Sequence, residues 1–202
     1  LRKQVASEAD PQKKTTLEQQ LASTEATLAV YSGNFPLQPP NLTVKDTMSV
    51  WSGGKEFRIL WIGRAHTAGD LVVYVPSERA AATGDMLFKA TVGWQGDAFP
   101  NEHPATLDAL KKLDVDLILP GHGDHIQGRA AIDAQIAVMQ EYLREEWRVI
   151  AAAKQQGAAP EQARERTADL NRFSTVFGQS TTPTLAAVRR IYDIIDGKAQ
   201  RE

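Results

Sequence analysis

GRAHTAGDLVVYVPSERAAATGDMLF, residues 63–88, contains two short apolar segments, DLVVYVP (70–76) and RAAATGD (79–85), separated by the turn-like SER. It follows directly on a third, RILWIG (58–63). Apolar runs of this length bounded by turn residues read as strands. His66 comes just after the first of them, and Asp85 interrupts the last before the chain turns apolar again at MLF. A similar segment, DLILPGHGDH (116–125), runs into His122. All three polar residues are flanked by small ones, which let a backbone or an ion approach closely. Strand ends on one edge of an α/β sheet converge, so residues distant in sequence can meet around one point. Imidazole and carboxylate are ordinary ligands for zinc and for non-haem iron. Taken singly, a His at a strand end is most often a structural residue, and an Asp after Gly most often a turn or cap. Three of them at successive segment ends is a pattern that chance seldom produces.

Working outward, LTVKDTMSVW (42–51) and EFRILWIG (56–63) flank a Gly-Gly pair and predict a β-hairpin. PATLDALKKLD (104–114) predicts a helix entering the 116–125 strand. Upstream, DPQKKTTLEQQLASTEATLAVY predicts a surface helix over about 11–30, with Leu17, Leu21 and Leu28 at helical spacing. The Pro- and Gly-rich stretch 32–41 predicts a loop that ends it. From Gly128 onward the strand pattern stops. A long helix closed by Gly157 and two shorter ones, over 160–173 and 182–197, are expected there. The long helix carries an apolar stripe of Ile132, Ile136, Met139 and Leu143, fit to pack on the domain or on another subunit. The fold class is therefore α/β (α+β) with a helical C-terminal extension, divided as 1–127 and 128–202.

Composition narrows the chemistry. The 202 residues are 42% hydrophobic and 24% charged, as in ordinary globular proteins. A formal net charge of -2 gives no electrostatic reason to expect nucleic acid or an anionic membrane as partner. No apolar run approaches the roughly 18 residues of a membrane helix. The absence of cysteine excludes disulfides, thiolate nucleophiles and thiolate metal sites. Any metal is held by nitrogen and oxygen.

The HTAG turn at 66–69, GDMLF at 84–88 and PGHG at 120–123 resemble, in order, three successive metal-binding motifs of the metallo-β-lactamase superfamily. The resemblance implies part of a four-layer αββα sandwich and a metal-dependent, dinuclear zinc hydrolase. In it His66 binds the first metal, Asp85 bridges both and is the catalytic carboxylate, and His122 binds the second. A metal-activated water would attack an ester, thioester or amide-like small-molecule substrate. The family's HxHxDH motif has no counterpart before His66, so the chain is expected to be the C-terminal portion of a larger, bacterial-type hydrolase, with metal bound weakly or not at all by this portion alone. Two other readings share the residues: a mononuclear iron member resembling persulfide dioxygenases, and a non-catalytic scaffold. GDMLF is similar to the glyoxalase II form of its motif, but GHGDH is not, and lack of Cys speaks against the lactamases that use one on their second metal.

Lesser features have plain alternatives. His125 is read as an exposed loop residue, and His103 as capping or lining the entry of the 104–114 helix. Asp70 either supports the His66 turn as an outer residue or simply forms the turn. Trp94 and Phe99 are candidates for an apolar lid or for packing. EYLREEWR (141–148) is expected to be a solvated helix face with a Glu145–Arg148 pair. NLT at 41–43 matches a glycosylation sequon without supporting context.

Overall fold

The computed structural model describes residues 1–31 and 38–199, in two compact units that divide between Thr43 and Val44. The loop expected over 32–41 lies outside the described residues at 32–37. In the first unit, helix α1 (Arg2–Ser7) packs on α2 (Pro11–Tyr31). Asp10 caps α2 by accepting from the amides of Gln12 and Lys13, at 2.9 and 3.2 Å, with Pro11 placed where a first turn tolerates it. Leu17 and Leu21 are half-buried, whereas Leu28 is exposed, so the apolar spacing is only partly used.

The second unit is a six-stranded sheet in sequence order: β1 (Thr47–Ser52), β2 (Lys55–Leu60), β3 (Val72–Val75), β4 (Ala80–Phe88), β5 (Leu117–His122) and β6 (Ile126–Gln127). The β1–β2 hairpin closes on Gly53 and Gly54, both at positive φ (58° and 77°), the two-residue turn whose twist suits adjacent strands. Every neighbouring pair is antiparallel except β4 and β5, which are parallel and are joined through helix α3 (His103–Leu110). Strands β2, β4 and β5 consequently point the same way. The loops that leave their C-terminal ends all emerge on one edge of the sheet.

Helix α4 (Arg129–Gln155) buries Ile132, Ile136, Met139 and Leu143 in the same core as Val72, Met86, Leu87, Leu107 and Ile118. The apolar stripe thus packs on its own sheet. The change at residue 127 is one of secondary structure, from β6 to α4, with the core continuous across it. Gly157, at φ 77°, ends α4 as expected. A second cluster of Ile150, Ala153, Ala163, Val188 and Ile191 ties α4 to α5 (Pro160–Glu165) and α7 (Leu185–Ile195). Thr184 caps α7 by accepting from the Ala187 amide at 3.2 Å.

The single helix expected over 160–173 is broken. Buried Thr167 turns its hydroxyl onto the Arg164 carbonyl at 2.6 Å, α5 stops, and a 3-10 helix over Ala168–Phe173 and a short α6 (Ser174–Phe177) follow. The solvated face expected over 141–148 is also only partly so. Glu145 pairs outward with Arg148 at 2.6 Å, but Glu146 points inward and is fully buried. No helix of the described residues is long and apolar enough to cross a membrane.

Candidate metal centre

The shared sheet edge collects the three residues singled out above. Asp85 is the sixth of the nine residues of β4, just beyond Gly84, whose φ of 51° accompanies a shift in the β4–β5 register. His122 ends β5 opposite Phe88, and its carbonyl accepts from the Lys89 amide at 3.1 Å. His66 comes from the loop after β2. That loop is pinned on both sides: the Thr106 hydroxyl of α3 donates to the Arg64 carbonyl at 2.6 Å, and the Phe99 amide donates to the Ala65 carbonyl at 2.8 Å.

Asp85 Oδ2 stands 3.6 Å from His66 Nε2, and Asp85 Oδ1 stands 3.5 Å from His122 Nε2. Each imidazole faces its own carboxylate oxygen. Donor atoms bound at about 2.0–2.2 Å to a tetrahedral ion lie roughly 3.3–3.6 Å apart, so both separations suit neighbours in a coordination shell. The donor types suit zinc or iron equally. Among the described residues, however, no group of three or more His, Asp or Glu side chains converges as a cage for a single ion. Among the described residues, each imidazole faces one oxygen of the same carboxylate.

Close packing explains the spacing in PGHG. A Cβ on Gly121 would meet Asp85 Oδ1 at 2.1 Å and the Gly84 carbonyl carbon at 2.7 Å, so only glycine lets β5 pass this close to the carboxylate. Beneath the cluster the Phe88 ring packs edge-on to His66 (5.5 Å between centroids) and tilted against His122 (5.7 Å). Phe88 is buried and closes the site from below, whereas the His122 side chain is 59% exposed and that of Asp85 37%. Asp85 interrupts a strand that is otherwise increasingly buried, yet it does so at the point where the strand reaches solvent.

His103 is neither a plain cap nor a rim residue. It is buried in the first turn of α3, and its Nε2 is bonded to the Met86 carbonyl at 2.7 Å, one residue after Asp85. Burial holds the imidazole neutral, its pKa lowered to about 4. Asp70 accepts from the Thr67 amide (2.9 Å) and hydroxyl (2.7 Å), which makes it the residue that forms the turn after His66. His125 is exposed, and its carbonyl accepts from Lys89.

His122 opens onto a crevice of about 650 Å³ whose lining includes Thr91, Trp94, Gln179 and Thr184. Trp94 is exposed on this rim. Phe99 is buried, with the Arg64 and Arg190 guanidinium groups 4.9 and 4.5 Å from its ring centre, and so packs rather than covers. Phe88 as a floor, His103 as a strut, and Gln179 and Thr184 as part of the crevice wall have no signature in the sequence. The glycines of PGHG were the one visible hint of close approach.

The profile of the metallo-beta-lactamase superfamily matches residues 10–122. A metallo-beta-lactamase type 2 from Bacteroides fragilis is 27% identical over 112 residues, 53% of this chain and 45% of that protein. The chain thus spans less than half the length of this curated relative. Among solved structures, the inverting sec-alkylsulfatase from Pseudomonas sp. superposes with a TM-score of 0.61 at 14% identity, over 77% of this chain and 26% of its own. A metallo-beta-lactamase family protein from Thermus thermophilus gives a TM-score of 0.55 at 21% identity, over 80% of this chain and 51% of its own.

Proposed function

Because the chain belongs to the metallo-β-lactamase superfamily, we propose that it forms one wall of a dinuclear zinc hydrolase site in which His66 and His122 each bind one ion and Asp85 bridges the two. The observation that carries this is the Asp85 carboxylate with its two oxygens turned to different imidazoles, at 3.6 and 3.5 Å. Zinc, when bound, acidifies water and stabilises negative charge developing on the substrate. The chain's own residues do the positioning. Gly121 admits the carboxylate, Phe88 keeps water from beneath it, and the His103 bond to the Met86 carbonyl fixes the strand from which Asp85 projects. The crevice beside His122 would take a small ester, thioester or amide-like substrate. The fold likeness to a sec-alkylsulfatase adds sulfate esters to the panel worth assaying.

A catalytic zinc site typically uses three protein ligands and a water. Two per ion from this chain predict weak uptake, completed by donors from outside the described residues. Equilibrium dialysis against zinc, with elemental analysis, is expected to show weak uptake that Asp85→Asn abolishes. Zinc uptake indifferent to Asp85 sinks the proposal, and iron uptake accompanied by oxygen consumption replaces it with the oxygenase reading.

A further inference from the structure

The helical layer holds a second set of polar groups, away from the trio at the sheet edge. Glu146, on the inner face of α4 one turn after Tyr142, is fully buried, and neither carboxylate oxygen has a hydrogen-bond partner. The ion pairs of the helical layer leave Glu146 out: Arg148 pairs with Glu145, Arg172 with Glu141 and Lys154 with Asp196. Gln95, in the loop after β4, is also buried. Its amide nitrogen donates to the Val92 carbonyl at 3.2 Å, and its Oε1 has no partner. The Tyr142 hydroxyl is within reach of Glu146 and lowers its pKa somewhat against burial, while it also donates to the Thr181 carbonyl at 3.2 Å, so one O–H proton serves two acceptors. The Thr181 hydroxyl in turn donates to the Leu170 carbonyl at 2.6 Å. Gln95 Oε1 and both oxygens of Glu146 are thus short of donors.

Gln95, Tyr142 and Glu146 line one crevice of about 120 Å³, with the exposed residues Gln179, Ser180 and Thr184 at its outer part. That volume is well above the ~10–15 Å³ that a single water needs. Gly93, Gln179 and Thr184 also line the larger crevice beside His122, so the two adjoin. Buried polar groups without partners are rare and call for a physical explanation. A hard metal cation needs about six oxygens, twice what is offered. An anion would be placed against the Glu146 carboxyl and the Gln95 amide oxygen, two acceptors. An ammonium group brings three N–H donors, a positive charge and no acceptor of its own, which matches what the crevice lacks.

We infer that this crevice binds the ammonium end of a small primary amine, with the Glu146 carboxylate and the Gln95 amide oxygen as its acceptors. The site stands whether or not the sheet edge is hydrolytic, because binding is measured directly. Without a ligand, burial pushes the Glu146 carboxyl up to about 8, with Tyr142 the other titratable group acting on it. Binding therefore tightens as pH rises through that value, since ionised Glu146 is the form that attracts the cation.

The test is titration of the 202-residue chain with methylammonium chloride by calorimetry, alongside tetramethylammonium, which has the charge and no N–H. Saturable one-to-one binding of methylammonium alone is expected, strengthening from neutral to mildly alkaline pH. Glu146→Gln should weaken it about tenfold or more, as loss of a charged hydrogen-bond partner does. Gln95→Leu should weaken it less. In the unaltered chain the Glu146 carboxyl titration, followed by carbon NMR, should move to lower pH when methylammonium is added; this readout decides the matter even for variants that fold poorly. No saturable binding, equal binding by Glu146→Gln, or equal binding of tetramethylammonium overturns the site.

Discussion

Asp85 and Glu146 are both carboxylates set against the apolar interior of the 44–202 unit, and their surroundings differ in every other respect. Asp85 sits where two parallel strands end, with its side chain 37% exposed and an imidazole facing each oxygen. Glu146 sits in the middle of a long helix, fully buried at the inner part of a narrow crevice, with no hydrogen bond to either oxygen. A strand edge can hold a charge cheaply because loops bring ligands and solvent to it. A helix face turned into a core has only a narrow crevice for this, and without a ligand the carboxyl answers by keeping its proton.

That contrast is open to attack, first and most strongly through pH. Glu146 is protonated in folded and unfolded chain alike at low pH. Between its ordinary value of 4.5 and its folded value of about 8, only the folded chain keeps the proton. Stability should therefore fall as pH rises across that window, by on the order of a few kcal/mol, and Glu146→Gln should flatten the slope. Urea melts at pH 5 and pH 8 measure it; equal slopes in both proteins would return Glu146 to the status of an ordinary carboxylate. His103 gives a somewhat smaller effect of opposite sign. Its folded value of about 4 lies below the usual 6.5, so stability present above 6.5 is lost as pH falls toward 4. His103→Gln should remove this acid sensitivity, and an unchanged acid limb would show that the imidazole is not buried as described.

Gly121→Ala sharpens the sheet-edge side. Its Cβ would collide with Asp85 and with β4 backbone, which predicts a loss of about 1–3 kcal/mol in a urea melt. Gly69→Ala, where a Cβ meets nothing within 4 Å, should change little; comparable losses at both would contradict the close passage of β5. The smallest effect on stability is expected for Asp85→Asn, under about 1 kcal/mol, as for other partly exposed pairs. If Asp85→Asn unfolds the chain, the carboxylate is a structural strut and the comparison with Glu146 collapses.

Much of this edge could be read from the chain itself. The hairpin at Gly53–Gly54, the long helix ended by Gly157 and the buried stripe from Ile132 to Leu143 follow from turn chemistry and periodicity, which are local. The meeting of His66, Asp85 and His122 was also foreseeable, since the ends of short strands that run in parallel converge on one edge, and each of these residues is flanked by small ones near such an end. The broken helix at Thr167 was not, because a hydroxyl that competes with the backbone inside a core looks in sequence like any helix-tolerant threonine.

Local patterns in the chain were enough for the hairpin, the long helix, the nitrogen-and-oxygen limit on any metal and the three residues gathered at the sheet edge. Three-dimensional packing was needed to turn Glu146 inward while its neighbour Glu145 pairs outward with Arg148, to make His103 a buried strut on the Met86 carbonyl, and to bring Gln179 and Thr184 to the crevice beside His122. The reason is physical. Turn propensity and periodicity act over a few residues and leave a pattern in the string, whereas burial and the number of donors left for an acceptor depend on segments brought together from far along the chain.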